Sequence, residues 1–291
     1  MALLSIIVVV FNMKREAPRT LFSLSTQYQR SVSESDYEVI VVENGSSEPL
    51  GAEKVQSFGN NFHYINLQER SQPSPCKAIN YACLKASGEC VGILIDGARI
   101  VSPGLVHAAI NALKIAPSPV VATLAWHLGP EHQSISIKHG YTQEVEDLLI
   151  ASVNWEVDGY NLFTISALAA SNAQGYFGTL FESTAIFMEK SKYDRLGGYD
   201  EGFDLAGGGL ANLDFYKRAC EYDNDELIIL LGEGTFHQLH GGISSNTKTP
   251  DYFENASRQY FQLRGNPFTP PRKNPLYYGH VASQASRWIS L

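Results

Sequence analysis

Asp96 stands where an acid can do metal or phosphate chemistry. It follows a short apolar run, Val91-Gly92-Ile93-Leu94-Ile95, that reads as a buried parallel strand. Ligands of open α/β sheets bind outside the carboxyl ends of the strands. A carboxylate there can hold a divalent cation carrying a phosphorylated ligand. Its alternative role is to cap the irregular turn that runs through Gly97 to Ser102-Pro103-Gly104. Two other strand ends carry polar groups, Phe11-Asn12 and Glu43-Asn44-Gly45-Ser46-Ser47. In a doubly wound sheet the three ends lie side by side. The first two can bracket a flat base, with backbone groups and the Glu43 carboxylate reading its edge, while Asp96 meets a diphosphate through a metal.

The elements that must deliver these ends follow from hydrophobic pattern. Leu4 to Phe11 is β-branched and apolar and reads as the first strand. Leu21, Leu24 and Tyr28 recur at helical spacing within 16–28, and Pro18 suits the first turn. Strands follow over 37–42 and 62–67, then a helix over 76–86 closed by Gly88. Beyond Asp96 the pattern gives a helix over 106–115, ended by Pro117 and Pro119, and a strand over 120–126. The pattern loosens over 129–170, apart from a helix near 144–153, and reads as a substrate-facing insertion. A strand over 183–188, a short helix stopped by Gly197-Gly198, a helix over 210–222 and a strand over 227–231 complete the series. Strands alternating with helices predict a largely parallel, right-handed α/β sheet. After about Thr249, aromatics, arginines and prolines predict an extended tail packed on the domain.

Composition narrows the function classes. The 291 residues carry a formal charge of -8, which argues against a nucleic-acid backbone as partner but not against single nucleotides held through a metal. Hydrophobic residues make up 44%, enough for a sizeable core. Cys76, Cys83, Cys90 and Cys220 form no C-x-x-C pair, so core packing is expected rather than zinc. No disulfide scaffold is needed at this size, and the run 3–11 is too short to span a bilayer and lacks preceding positive charge. These features point to a reducing cytoplasm. No glycine-rich phosphate loop follows the first strand, which disfavours a dehydrogenase or a sugar nucleotidyltransferase.

Over residues 3 to 240 the chain resembles the inverting family-two glycosyltransferases of the GT-A fold. The resemblance rests on five pieces in order: VVVFN; Glu43-Asn44-Gly45-Ser46; Asn80 before Ala86-Ser87-Gly88; the Asp96 strand; and Gly197-Gly198-Tyr199-Asp200-Glu201-Gly202-Phe203. It implies a GT-A (Rossmann-like) domain over 1–248, with a nucleotide-binding half near 1–105, an acceptor half near 120–248, and a C-terminal extension over 249–291. It also implies sugar transfer with inversion from a nucleotide-diphosphate sugar to an oligosaccharide or lipid-linked glycan, in surface polysaccharide synthesis. Phe11, Asn12, Glu43, Asn44, Asn80, Asp96 and Arg99 become the nucleotide-sugar residues.

The family's Asp-x-Asp reads Asp96-Gly97-Ala98 here, and its Glu-Asp pair falls on Ala211-Asn212. A divalent cation, Mn²⁺ or Mg²⁺, would then rest on Asp96 and on His237, which resembles a late metal-site histidine of some members; the alternative for His237 is a buried strand histidine. Arg99 can instead meet the phosphates directly. Asp214, the nearest acid to the altered pair, and Glu182, before the 183–188 strand, are the candidate catalytic acids. The glycines 207–209 would close over the donor or simply enter a helix, and Trp126, Trp155 and Tyr176 would stack on sugars or fill the core. The altered motifs leave a second class of function open, a non-catalytic nucleotide- or glycan-binding domain. Contact of the tail with a membrane surface, a partner chain or its own core is left open too.

Overall fold

The computed structural model describes residues 3–223, 225–242 and 251–289. The expected boundary at 248/249 lies outside them. The strands are β1 (Leu4–Val10), β2 (Tyr37–Glu43), β3 (Phe62–Asn66), β4 (Cys90–Leu94), β5 (Arg99–Val101), β6 (Val120–Leu128), β7 (Ser166–Leu168), β8 (Ala185–Glu189), β9 (Leu227–His237) and β10 (Leu276–Gly279). They form one sheet in the order β10-β9-β6-β8-β4-β1-β2-β3, with β5 on β9 and β7 on β6. Only β5, β7 and β8 run against the rest. The carboxyl ends of β2, β1, β4, β6 and β9 therefore share one edge, and the amino end of β8 meets them there.

Helices cover both faces because the strands are apolar on both sides. Leu4, Ile6, Val8 and Val10 of β1 pack with α1 (Ala17–Leu24) and α4 (Leu105–Ala112). Ile7 and Val9 point the other way, toward α3 (Cys76–Lys85) and α8 (Ala211–Glu221). The short helices α2 (Ala52–Gln56), α5 (Gln133–Ser136), α6 (Gln143–Ala151) and α7 (Lys190–Arg195) join these layers. All four cysteines are buried free thiols, as core packing requires. Trp126, Trp155 and Tyr176 are buried as well, and Trp126 packs edge-on against Phe163, so they fill the core rather than a sugar site.

Three expectations change. Residues 99–101 are not irregular but form β5, pairing Arg99 with His237. The strand expected over 227–231 continues to His237, because residues beyond Gly232 pair with β6 and β5 as well. The tail is not extended. It begins with the helix α9 (Tyr252–Arg264), whose buried Tyr252, Ala256 and Tyr260 recur every four residues and whose Gly265 supplies a left-handed end at φ 73. The prolines act only after that helix, and the chain then returns to add β10 to the sheet.

A kink in β9 carries a buried acid, Glu233. One of its oxygens accepts from Ser102 Oγ and the Gly104 N–H, and the other accepts from Tyr160 Oη at 2.6 Å. Burial raises its pKa to about 7, opposed by these hydrogen bonds. A carboxyl raised in the folded state contributes stability that is full below the ordinary carboxylate range and lost as pH rises through about 7. Chemical denaturation should show wild type losing on the order of 3 kcal/mol relative to Glu233→Gln between about pH 4 and about pH 8. Parallel stability profiles for the two proteins would contradict this.

Candidate active site

The adjacent ends of β1 and β2 are stitched together by their own polar residues. Asn12, left-handed at φ 52, donates its N–H to Ser46 Oγ at 2.7 Å, and its side-chain oxygen accepts from the Ser47 N–H at 2.9 Å. Glu43 is buried, accepts from Ser46 Oγ, and accepts from the Leu50 N–H at 3.0 Å. Asn44 bonds both ways with the Gln72 backbone. Glu43 and Asn44 therefore brace the loop walls. What they leave at the surface is Phe11, 52% exposed, and the exposed Asn12.

Asn80 goes elsewhere. Its oxygen accepts from Tyr193 Oη and the Tyr199 N–H, and its amide donates to Tyr199 O and Glu201 Oε1. All its hydrogen-bonding capacity is spent holding the Gly197–Glu201 turn on α3, so it serves packing rather than the donor.

Asp96, Arg99 and His237 do come together. Arg99 Nε donates to Asp96 Oδ2 at 2.8 Å, and Arg99 is the cross-strand neighbour of His237. One oxygen or nitrogen each of Asp96, His237 and His240 lies within 4.8 Å of the others. His240 sits three residues after His237, just past the strand, and that H-x-x-H spacing is the signal that marks it.

Gln133, from the loosely patterned stretch, fixes the His237 ring. Its Nε2 donates to His237 O at 2.9 Å and its Oε1 accepts from Nδ1 at 2.7 Å. The proton is thus on Nδ1 and the Nε2 lone pair is free. His237 Nε2 lies 3.0 Å from His240 Nε2. His240 can donate a proton across that gap, and Asp96, His237 and His240 are the residues that would hold a divalent cation. Burial, then the Arg99 charge, pushes His237 well below the ordinary imidazole range; burial also lowers His240. Both rings are neutral at pH 7, as ligation requires. Two imidazoles, a carboxylate and an outer partner suit a divalent cation, so the residues fit such a group.

His127, the register neighbour of His237 on β6, packs at a tilt against His132 with ring centroids 4.3 Å apart. Burial, then His132, lowers its pKa to about 3.

The two candidate acids differ sharply. Asp214 is buried in α8 and takes Arg218 Nε at 2.8 Å together with Nε and Nη2 of Arg264 at 2.6 and 2.8 Å. Its oxygens are spent clamping α9 onto α8, which does not leave a base free for an acceptor. Glu182 is half-buried, three residues before β8, at the edge that carries Asp96. Its Oε2 accepts from Asn212 Nδ2 at 2.7 Å, and Asn212 Oδ1 accepts from Tyr199 Oη at 2.9 Å. The glycine loop is tied down through Gly207 N to Pro73 O and Gly209 N to Tyr252 Oη.

With this geometry in place, the chain was compared with known proteins. Residues 5–137 match the family model "Glycosyl transferase family 2". The matched part carries Asn12, Glu43 and Asp96. The described residues have the GT-A fold, seen in their likeness to solved structures of Staphylococcus aureus TarS. Against TarS 1-349 in complex with UDP-GlcNAc the TM-score is 0.60 at 16% identity, covering 92% of this chain and 68% of that one. Against TarS 1-349 in complex with UDP the TM-score is 0.53 at 16% identity, with 92% and 67% covered. Against TarS itself it is 0.56 at 16% identity, and the chain spans 40% of that protein's length. No curated protein matches the sequence. Among the described residues, no helix is long and apolar enough to cross a membrane.

The clamp on Asp214 is testable as structure. Asp214→Ala leaves two half-buried guanidinium groups without their carboxylate and should cost roughly 3 kcal/mol in chemical denaturation. A loss below about 0.5 kcal/mol would place Asp214 among the surface pairs that contribute little.

Proposed function

We propose that the protein is a glycosyltransferase that moves a sugar from a nucleoside-diphosphate donor to a glycan acceptor with inversion. The observation that carries this reading is the convergence of Asp96, His237 and His240 at the sheet edge that also carries the carboxyl ends of β1 and β2. Phe11 and Asn12 would border the base, with Glu43 and Asn44 holding the loops in shape. Asp96, His237 and His240 would hold Mn²⁺ or Mg²⁺; two imidazoles favour Mn²⁺, since Mg²⁺ prefers oxygen donors. When bound, such a cation neutralises the charge that develops on the departing diphosphate. Arg99 adds a fixed positive charge beside the same anion.

Glu182 is the base in this reading. Asn212, oriented by Tyr199, points one Glu182 oxygen's hydrogen bond inward and leaves the other oxygen to accept the acceptor hydroxyl's proton. As that proton leaves, the hydroxyl oxygen forms its bond to the anomeric carbon. The bond to the diphosphate oxygen breaks on the opposite face, so the configuration inverts. The acceptor half near 120–248, a hexosyl donor, an oligosaccharide or lipid-linked acceptor, surface polysaccharide synthesis and a cytoplasmic setting belong to the same proposal, supported by the family resemblance.

UDP-GlcNAc, the ligand in one TarS structure, is the first donor to assay, followed by other UDP- and GDP-sugars with Mn²⁺. Glu182→Gln should lower turnover by about 10²- to 10⁴-fold with donor affinity unchanged. Asp96→Ala should abolish Mn²⁺-dependent donor binding. Donor binding without turnover in wild type would favour the non-catalytic binding domain instead, and Glu182→Gln at full turnover would remove Glu182 as base.

A further inference from the structure

We infer that Glu146 and Arg15 are positioning residues for His240, and that the stretch carrying α6 clamps the end of the metal strand rather than facing substrate. The inference rests on the proposed metal role of Asp96, His237 and His240. His240 lies past the end of β9, where no strand among the described residues pairs with the backbone. Side chains replace the missing ladder. The Leu239 N–H donates to Glu146 Oε2 at 2.7 Å. The Leu239 carbonyl accepts from Arg15 Nη1 at 3.1 Å and Gln143 Nε2 at 3.3 Å. One residue earlier, the Gln238 N–H donates to Ala98 O, next to Asp96, and Gln238 Nε2 donates to Glu16 O.

Each backbone group of Leu239, the residue that leads into His240, is thus held by a carboxyl, guanidinium or amide side chain. Glu146 is fully buried, and its other oxygen takes Arg15 at 3.3 Å. Arg15 is in turn fixed by Glu16 at 2.9 Å and Asp147 at 2.6 Å. Even with Arg15, Tyr141 Oη and the Leu239 amide as partners, a buried acid is costly to desolvate and adds little packing. It becomes intelligible if the loop it orders must present His240 at a set distance from His237. Groups that orient metal ligands commonly alter affinity by about 10- to 100-fold when removed. Ordering the loop beforehand removes an entropic cost from ion binding.

The test measures Mn²⁺ affinity of the full chain without nucleotide, by the paramagnetic resonance signal of free Mn²⁺. Glu146→Gln keeps the side chain's shape but exchanges the carboxyl group for an amide, and its Mn²⁺ Kd should rise about 10- to 100-fold. Arg15→Met is the second variant, and should raise the Kd several-fold even if the first fails to fold. The control is Lys192→Met, which breaks a buried pair with Asp225 at the opposite edge of the sheet. It should lose stability yet keep the wild-type Kd.

A folded Glu146→Gln within about twofold of the wild-type Kd overturns the inference. So does a Lys192→Met protein that loses Mn²⁺ to the same degree, which would reduce the effect to general stability. Wild type that binds no Mn²⁺ overturns the metal reading as well, so the two failures are told apart.

Discussion

The candidate metal edge depends on one irregularity in strand pairing. Along β6 and β9 the register runs from Ala122 opposite Ile229 to Leu124 opposite Gly234, so β9 spends five residues where β6 spends two. The excess is odd, and side chains alternate faces with a period of two. The kink therefore reverses which face each later residue of β9 presents. Beyond it, His237 lies between His127 on β6 and Arg99 on β5. Glycine permits the kink: Gly232 has φ 73, and a Cβ there would lie 2.1 Å from His280 O. Gly234 lets the Trp126 ring lie against the strand, where a Cβ would meet it at 2.2 Å.

Burial then sets the protonation states on which the chemistry rests. His237 is buried beside His127 and held by Gln133, and this burial removes water from the ring and keeps it neutral. Neutral imidazoles can ligate a cation, whereas protonated ones would repel it and Arg99 alike. The same low-dielectric surroundings raise Glu146 and Glu233 to about 7, and each is retained only within a set of donors. Glu146 braces the backbone ahead of His240; Glu233 ties the kink of β9 to the start of α4.

The tail contributes by closing the fold behind the site. Arg264 of α9 joins Arg218 on Asp214, and a second contact reaches Asp200 at 2.8 Å. Asp214 is thereby withdrawn from chemistry, while Asn212, two residues earlier on the same helix, faces Glu182 instead. A helix places neighbours two apart on different faces, and that rotation separates the clamp from the edge that carries Glu182.

How much of this was legible in the sequence differs by element. Apolar runs ending in Asn12, Glu43 and Asp96 determined the parallel core and its carboxyl edge, because buried strands need β-branched residues whatever their partners are. The family resemblance pointed to His237 and to the place of the missing carboxylates. Four-residue spacing in α9 was present too, but the prolines that follow it masked the helix. Tertiary structure alone decided which polar side chains stay free. Asn80 and Asp214 are spent on neighbours that include residues distant in sequence; Gln133, in a stretch without clear periodicity, and Glu146, on a helix legible only as a helix, are brought beside the candidate metal edge. Local pattern reports which face a residue turns inward; only the packed chain determines whether a hydrogen-bonding group arrives there already satisfied.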